Sequence, residues 1–199
     1  MKIDVIEYAQ NRSRPENSVH YGKKRRFEKA KEQLAKSPVD KALIIKWVNE
    51  YLNAYGIESS CDNNEIDVKT ISIDDFNRNI KNTYGLQDEK DIIWIKFTNS
   101  GHVGVVAASN DINFDIPDSE EVYDKRQGSR WKYNTSGIIV HYLKEKIDNS
   151  LTWDNSFFLL FPLYGLSGSR KERHRIETGV GNYLISKCVP ILDFYSHRI

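Results

Sequence analysis

The sequence predicts a mixed α+β (α/β) fold, with N-terminal helices followed by a mixed sheet of about five or six strands and a C-terminal βαβ-like unit. Capped segments with apolar residues at helical spacing occupy the first part of the chain. Short runs rich in β-branched and aromatic residues follow in the middle. The last part reads strand, helix, strand, an order that favours a right-handed crossover between parallel strands.

Two helices are predicted before the first strand. The earlier one, at residues 16–36, is mostly polar and basic, so we expect it to pack on one side only. The next has Ser37 as its expected N-cap, Pro38 as its first residue and Gly56 as its C′ residue. Its expected buried stripe consists of Leu43, Trp47, Tyr51 and Tyr55, flanked by Ile44, Val48 and Leu52.

The strands come next, with a further helix between the first two. The predicted strands lie at 65–71, 91–98, 102–109, 136–143, 156–163 and 189–195. An NSG turn joins 91–98 and 102–109 into a hairpin. Helices are predicted from Ser72 to Gly85 and over 170–187.

A chain of 199 residues fits one domain. We expect a single domain over 1–199, with a helical part at 1–56 and a sheet-containing core at 57–199. No secretory signal is evident and the longest apolar run is too short to cross a bilayer, so we expect a cytoplasmic protein without a membrane partner. Cys61 and Cys188 lack the spacing of a zinc site and are expected to be free thiols.

The formal net charge of +1 conceals a segregated distribution of charge. Residues 12–36 contain nine basic and three acidic residues, whereas residues 57–121 contain fourteen acidic and five basic ones. Basic character returns in YDKRQGSRWKY and SRKERHR. Because local charge selects partners more than the total does, we expect nucleic acid as a partner, with an acidic protein surface as the alternative.

The three basic segments are candidate contacts for nucleic acid. Lys and Arg bind phosphates, and neighbouring aromatic side chains can stack on bases. The predicted contacts are Lys23, Lys24, Arg25, Arg26, Arg126, Arg130, Trp131, Lys132, Arg170, Arg173 and Arg175. The alternative is a set of solvated helix faces, or a basic surface that meets the acidic middle of the same chain.

A further pattern indicates metal-dependent cleavage of phosphodiester bonds, which needs acidic groups around Mg²⁺ and a lysine near the attacking water. The segment EIDVK places Asp67 and Lys69 on one face of a predicted strand. Glu177 and Asp193 could supply the other acids, so we predict all four residues as catalytic, with Asp67, Glu177 and Asp193 as ligands of Mg²⁺. The alternative is an exposed strand face on which Lys69 neutralises Asp67.

The segment RIETGVGNYLISK raises the question of a phosphate-binding loop, because it contains Gly179 and Gly181. A dinucleotide loop needs three glycines directly after a strand, whereas these two lie within a predicted helix. We therefore expect them to allow close packing of that helix. His174, in RKERHR, is expected to be another cationic or donor group.

Together these features predict a nucleic-acid-binding or -processing protein, with a Mg²⁺-dependent nuclease as the most specific version. Two alternatives stay open. One is a non-catalytic inhibitor or adaptor that docks on another protein, and the other is a transferase that binds a nucleotide-type cofactor at 167–181.

Overall fold

The computed structural model describes residues 23–57, 91–109, 126–127, 130–131, 135–166 and 169–193. The predicted strand at 65–71 and the helix from Ser72 to Gly85 lie outside these residues. The described elements are α1 (Lys23–Leu34), α2 (Lys41–Ala54), β1 (Ile92–Thr98), β2 (Val103–Ser109), β3 (Arg126–Gln127), β4 (Arg130–Trp131), α3 (Thr135–Lys146), β5 (Trp153–Pro162) and α4 (Arg170–Ser186).

An antiparallel sheet with the strand order β2-β1-β5 forms the centre of the fold. β1 and β2 are the predicted hairpin, and the amide of Gly101 closes its turn on the carbonyl of Thr98 at 2.8 Å. Gly101 has a φ of 81°, a conformation that residues with a Cβ rarely adopt. The NSG signal therefore identified a turn that requires its glycine.

Helices cover both faces of this sheet. On one face, Ile93, Ile95 and Phe97 of β1 pack with buried residues of α2 and α4. On the other face, Trp94 packs with α1 and α3, where Phe27 stacks on Tyr142 with ring centroids 4.3 Å apart. Because alternate side chains of β1 enter the two apolar clusters, this strand is buried along nearly its whole length.

The start of α2 differs from the prediction. Asp40, not Ser37, is the N-cap, and its Oδ1 accepts a hydrogen bond from the amide of Ala42 at 2.7 Å. At the other end Gly56 has a φ of 87°, as expected for a C′ glycine. Both Ser and Asp are favoured at an N-cap, so residue type alone does not distinguish Asp40 from Ser37 as the start of α2.

The buried stripe of α2 is also rotated from the predicted one. Ile44, Val48 and Leu52 are fully buried, whereas Leu43 is 44% exposed. Trp47, Tyr51 and Tyr55 are only partly buried and pack against the edge of the same cluster. Both stripes recur at helical spacing, and contact with the sheet selected the aliphatic one.

The strand predicted at 136–143 is wrong, because these residues belong to α3. Ile139, Val140 and Leu143 are each at most 1% exposed, which is the pattern of one buried helix face. A short apolar run of β-branched residues is compatible with a strand or a buried helix, and periodicity alone does not separate them. Packing against α1 decides the matter here.

After α4 the chain returns to the edge of β2 that lies opposite β1. Ile191 forms an isolated parallel bridge with Val103, and the amide of Asp193 donates to the carbonyl of Gly104 at 3.0 Å. The helices and the antiparallel sheet confirm a mixed α+β class. A sheet of five or six strands and a complete βαβ unit remain predictions. Within the described ranges, no helix combines the length and the hydropathy needed to span a bilayer.

Candidate functional site

Helix α4 carries four of the five predicted site residues whose side chains the structure describes, namely Arg170, Arg173, Arg175 and Glu177. It begins at Ser169, whose Oγ accepts a hydrogen bond from the amide of Glu172 at 3.3 Å. Ile176, Val180 and Leu184 are fully buried against the sheet and α2. The exposed positions of its first two turns are all cationic or imidazole side chains: Arg170, Lys171, His174 and Arg175.

Arg173 does not lie among these exposed cations. Its guanidinium is 8% exposed and donates to the carboxylate of Asp91, which is 1% exposed. Asp91 immediately precedes β1, and its carbonyl accepts from the amide of Leu163 at 2.8 Å. This ion pair therefore joins α4 to the start of β1 and the end of β5. Arg173 is engaged inside the protein and is not available to contact phosphates from the surface.

A hydrogen-bonded line runs along the side of α4 that faces β2. Arg170 Nε donates to His174 Nε2 at 3.4 Å, and His174 Nδ1 lies 2.9 Å from Glu177 Oε2. Because arginine can only donate, His174 Nε2 accepts from Arg170 in the neutral imidazole, whose proton then lies on Nδ1. His174 thereby donates to Glu177 and fixes the orientation of that carboxylate. The imidazole is 52% exposed, whereas the Glu177 side chain is 17% exposed.

Glu177 and Asp193, here called the acidic pair, are brought together by the fold. Burial raises the pKa of Glu177. The hydrogen bond and charge of His174 lower that pKa, the charge of Asp193 raises it, and the charge of Arg173 lowers it. Asp193 is 2% exposed and is held by its backbone bond to β2. Two predicted ligands from separate elements thus lie within electrostatic range of each other.

The donor chemistry of the acidic pair fits a magnesium ion. Mg²⁺ prefers oxygen ligands, keeps several waters and is commonly held by one or two carboxylates together with substrate phosphates. In the part of the chain that the structure describes, no group of three or more His, Cys, Asp or Glu side chains is arranged to hold a metal ion. The third predicted ligand, Asp67, and the predicted Lys69 lie outside the described residues.

The other predicted nucleic-acid contacts are spread over the fold. Lys23, Lys24, Arg25 and Arg26 form the first turn of α1. Arg126 lies on β3, while Arg130 and Trp131 lie on β4, a two-residue strand that pairs with β3. Lys132 is outside the described residues. Of the predicted contacts, Arg170 and Arg175 are the ones whose side chains the structure describes as exposed.

The side of α4 that faces α2 carries a feature the sequence analysis did not assign to function. Tyr55, Tyr51 and Tyr183, here called the tyrosine row, lie side by side across the α2–α4 junction. A Cβ on Gly179 would overlap the hydroxyl of Tyr51, so this glycine allows the close contact. Gly179 is a packing residue, as expected, and Gly181 is buried in the same helix. The helical spacing of Tyr51 and Tyr55 predicts core positions for both, whereas the structure leaves them partly exposed.

Two tyrosines of this row have shifted acidities with different causes. Burial raises the pKa of Tyr51, and the positive charge of Arg175 partly opposes it. The hydrogen bond that Tyr55 donates to Glu172 is the main cause that raises the pKa of Tyr55. Both phenols are therefore neutral near pH 7, since an ordinary tyrosine titrates only at a pKa of about 10.

No known protein family matches the chain, and no curated protein and no solved structure matches it either.

Proposed function

We propose that the protein binds and processes nucleic acid, and that its reaction is Mg²⁺-dependent cleavage of a phosphodiester bond. The observation that carries the proposal is the acidic pair beside the exposed cations of α4. Glu177 is held by His174 at 2.9 Å next to the buried Asp193, while Arg170, Lys171 and Arg175 are exposed on the same helix. Oxygen ligands for a cation and donors for phosphates thus occupy adjacent surfaces.

Each side chain has a distinct role in this proposal. Arg170 and Arg175 hold backbone phosphates, and the planar guanidinium allows two parallel hydrogen bonds to one phosphate. Glu177 and Asp193 hold the cation, with Asp67 as the third predicted ligand. A bound Mg²⁺ would neutralise charge on the phosphate and on the leaving oxygen. His174 keeps the Glu177 carboxylate pointing in one direction, and Arg173 anchors the helix beneath it.

A cleavage assay tests the proposal directly. Labelled single-stranded and duplex DNA and RNA are incubated with the protein in Mg²⁺ or in EDTA. We expect cleavage only with Mg²⁺, and a loss of about 100-fold or more in Glu177→Gln and in Asp193→Asn, because metal catalysis contributes several kcal/mol. Glu50→Gln is the matched control, since Glu50 is an exposed acid on α2.

Two results of the cleavage assay would contradict the proposal. Cleavage at the wild-type rate in both acidic-pair variants, or cleavage that persists in EDTA, removes the assigned site. Because Asp193 is buried, thermal melting of Asp193→Asn establishes that the variant is folded. Binding of Mg²⁺ by wild type and Glu177→Gln, measured by calorimetry, gives a second readout that does not depend on turnover.

Two further measurements separate this proposal from the two alternatives. A non-catalytic docking protein shows no metal effect and retains a salt-sensitive complex with a protein partner. A transferase shows a thermal shift with coenzyme A or a nucleotide. The contact of Tyr51 with Gly179 disfavours the transferase. A cofactor would have to approach the helix at Gly179, and the Tyr51 side chain fills that space.

A further inference from the structure

The tyrosine row is a continuous aromatic surface shared by two helices. The ring centroids of Tyr55 and Tyr51 are 6.1 Å apart with an interplanar angle of 29°, and those of Tyr51 and Tyr183 are 5.7 Å apart with an angle of 39°. Tyr51 and Tyr55 come from α2 and its C-cap, and Tyr183 comes from α4. All three side chains are partly exposed.

The core beneath the row is complete without these rings. Ile44, Val48 and Leu52 of α2 are fully buried, as are Val180 and Leu184 of α4. Tyr51 and Tyr55 pack on the outside of this aliphatic layer. A glycine in a helix interior costs about 1 kcal/mol relative to alanine, yet Gly179 occupies such a position and the ring of Tyr51 fills its space. The local structure therefore places aromatic rings at the surface, above a layer of buried aliphatic side chains.

Positive charge lies at both sides of the row. Arg175 is exposed and close enough for its charge to lower the pKa of both Tyr51 and Tyr55. At the other end, Lys187 Nζ lies 4.9 Å from the ring centroid of Tyr183. The nearby acid, Glu172, accepts the hydroxyl hydrogen bond of Tyr55. The neutral phenol rings thus lie between two cations, of which Lys187 contacts the ring of Tyr183 and Arg175 is exposed.

Exposed aromatic rings flanked by cations suit one class of ligand. Aromatic side chains stack on unpaired bases regardless of sequence, and flanking Lys and Arg side chains follow the phosphates of the same strand. A base pair inside a duplex hides its faces in the stack, so a duplex cannot use the rings in this way. We infer that the tyrosine row, with Arg175 and Lys187, binds single-stranded nucleic acid by stacking.

The inference rests on the proposed function and names its substrate as single-stranded. The row and the acidic pair lie on opposite sides of one helix, whose diameter with side chains is about 10–12 Å. The exposed surface of α4 between them carries Lys171 and Arg175. A strand stacked on the row therefore crosses a cationic surface before it reaches Glu177 and Asp193.

Fluorescence anisotropy in EDTA tests this inference without requiring cleavage. The probes are a labelled single-stranded oligothymidine and a duplex of the same length. We expect tighter binding of the single strand, and a loss of affinity of about 5- to 150-fold in Tyr183→Leu and in Tyr55→Leu, the range for one lost base stack. Tyr183→Phe and Tyr55→Phe keep the ring and should bind within about twofold of wild type.

Matched controls keep the test specific. Tyr164→Leu removes a tyrosine that is 40% exposed in the turn before α4 and should leave affinity unchanged. Arg175→Gln and Lys187→Gln should weaken binding and each reduce its salt dependence by roughly one phosphate contact. These two substitutions at exposed or partly exposed positions leave the packing intact, so the test does not depend on tyrosine variants that fold poorly.

The two proposals fail in different ways. Leucine variants of the row that bind as tightly as wild type overturn the inference, even if cleavage still requires the acidic pair. Equal affinity for duplex and single strand, or a protein partner that binds in place of nucleic acid, also overturns it. Suppose that the row variants lose binding while Glu177→Gln still cleaves at the wild-type rate. This result supports the stacking surface and removes the proposed catalytic site.

Discussion

The two sides of α4 show how one helix acquires two different surfaces. The side toward β2 holds Glu177 in a hydrogen bond with His174 beside the buried Asp193. The side toward α2 carries the ring of Tyr183 against Tyr51 at the partly exposed helix junction. The neighbours determine the difference, since the Gly104 carbonyl of β2 holds the backbone amide of Asp193 and α2 supplies aromatic rings.

The same contrast separates two arginines of this helix. Arg173 is buried in an ion pair with Asp91, whereas Arg175, two residues later, is exposed. A step of two residues rotates a side chain by about 200° around a helix, which is enough to move it from the core to solvent. A basic segment is therefore not a uniform surface.

Removing the buried ion pair should have the largest effect. Arg173→Ala leaves the Asp91 carboxylate inside the protein without its guanidinium, and we expect a loss of about 3–5 kcal/mol in the free energy of unfolding. Arg175→Ala should change it by less than about 0.5 kcal/mol, because its side chain is on the surface. Urea denaturation of the two variants measures both values. Equal small losses would contradict the different burial of these arginines.

Filling the space at Gly179 should have an intermediate effect. In Gly179→Ala the new Cβ overlaps the Tyr51 ring, and we expect this overpacking to cost about 1–3 kcal/mol. The better helix propensity of alanine returns about 1 kcal/mol, so a net loss of roughly 1 kcal/mol remains.

The sign of that change depends on Tyr51 and provides its own control. In a Tyr51→Ala background the clash is absent, so Gly179→Ala should stabilise the protein by about 1 kcal/mol. A double-mutant cycle from denaturation curves gives the coupling between the two positions. The same loss in both backgrounds would show that Tyr51 does not occupy the space above the glycine.

The smallest effect concerns the pH dependence of stability at Glu177. Burial raises the pKa of this carboxyl in the folded protein above its usual value of 4.5. Between 4.5 and the raised pKa the folded protein binds more protons than the unfolded chain, so the contribution of Glu177 to stability falls as pH rises through this window. Below the window the carboxyl is protonated in both states.

Glu177→Gln removes this titration and still accepts the hydrogen bond from His174. We expect the variant to gain stability relative to wild type above the window, and to match wild type at pH values well below 4.5. Thermal melts across this pH range measure the difference, with Glu50→Gln as a surface control. A difference that is the same at every pH would contradict a raised pKa at Glu177.

Several local features could be predicted from the sequence because they depend on neighbouring residues alone. The hairpin of β1 and β2, the glycine that ends α2 and the helical state of 170–187 all followed from turn, cap and spacing signals. The sequence offers Glu177 and Asp193 as candidate acids, but their proximity could not be predicted from it. Their distance depends on how the chain after α4 returns to β2.

By itself, the sequence determined where helices and strands can form and which residue types are available for chemistry. Only the tertiary structure decided which side of each helix is buried. Leu43 and Ile44 are adjacent and equally apolar, yet one is 44% exposed and the other is fully buried. Residues 136–143 became a helix because their apolar side chains fill the space beside α1. Periodicity specifies a stripe, but contact with a second element selects its direction, and that contact joins residues far apart in the chain.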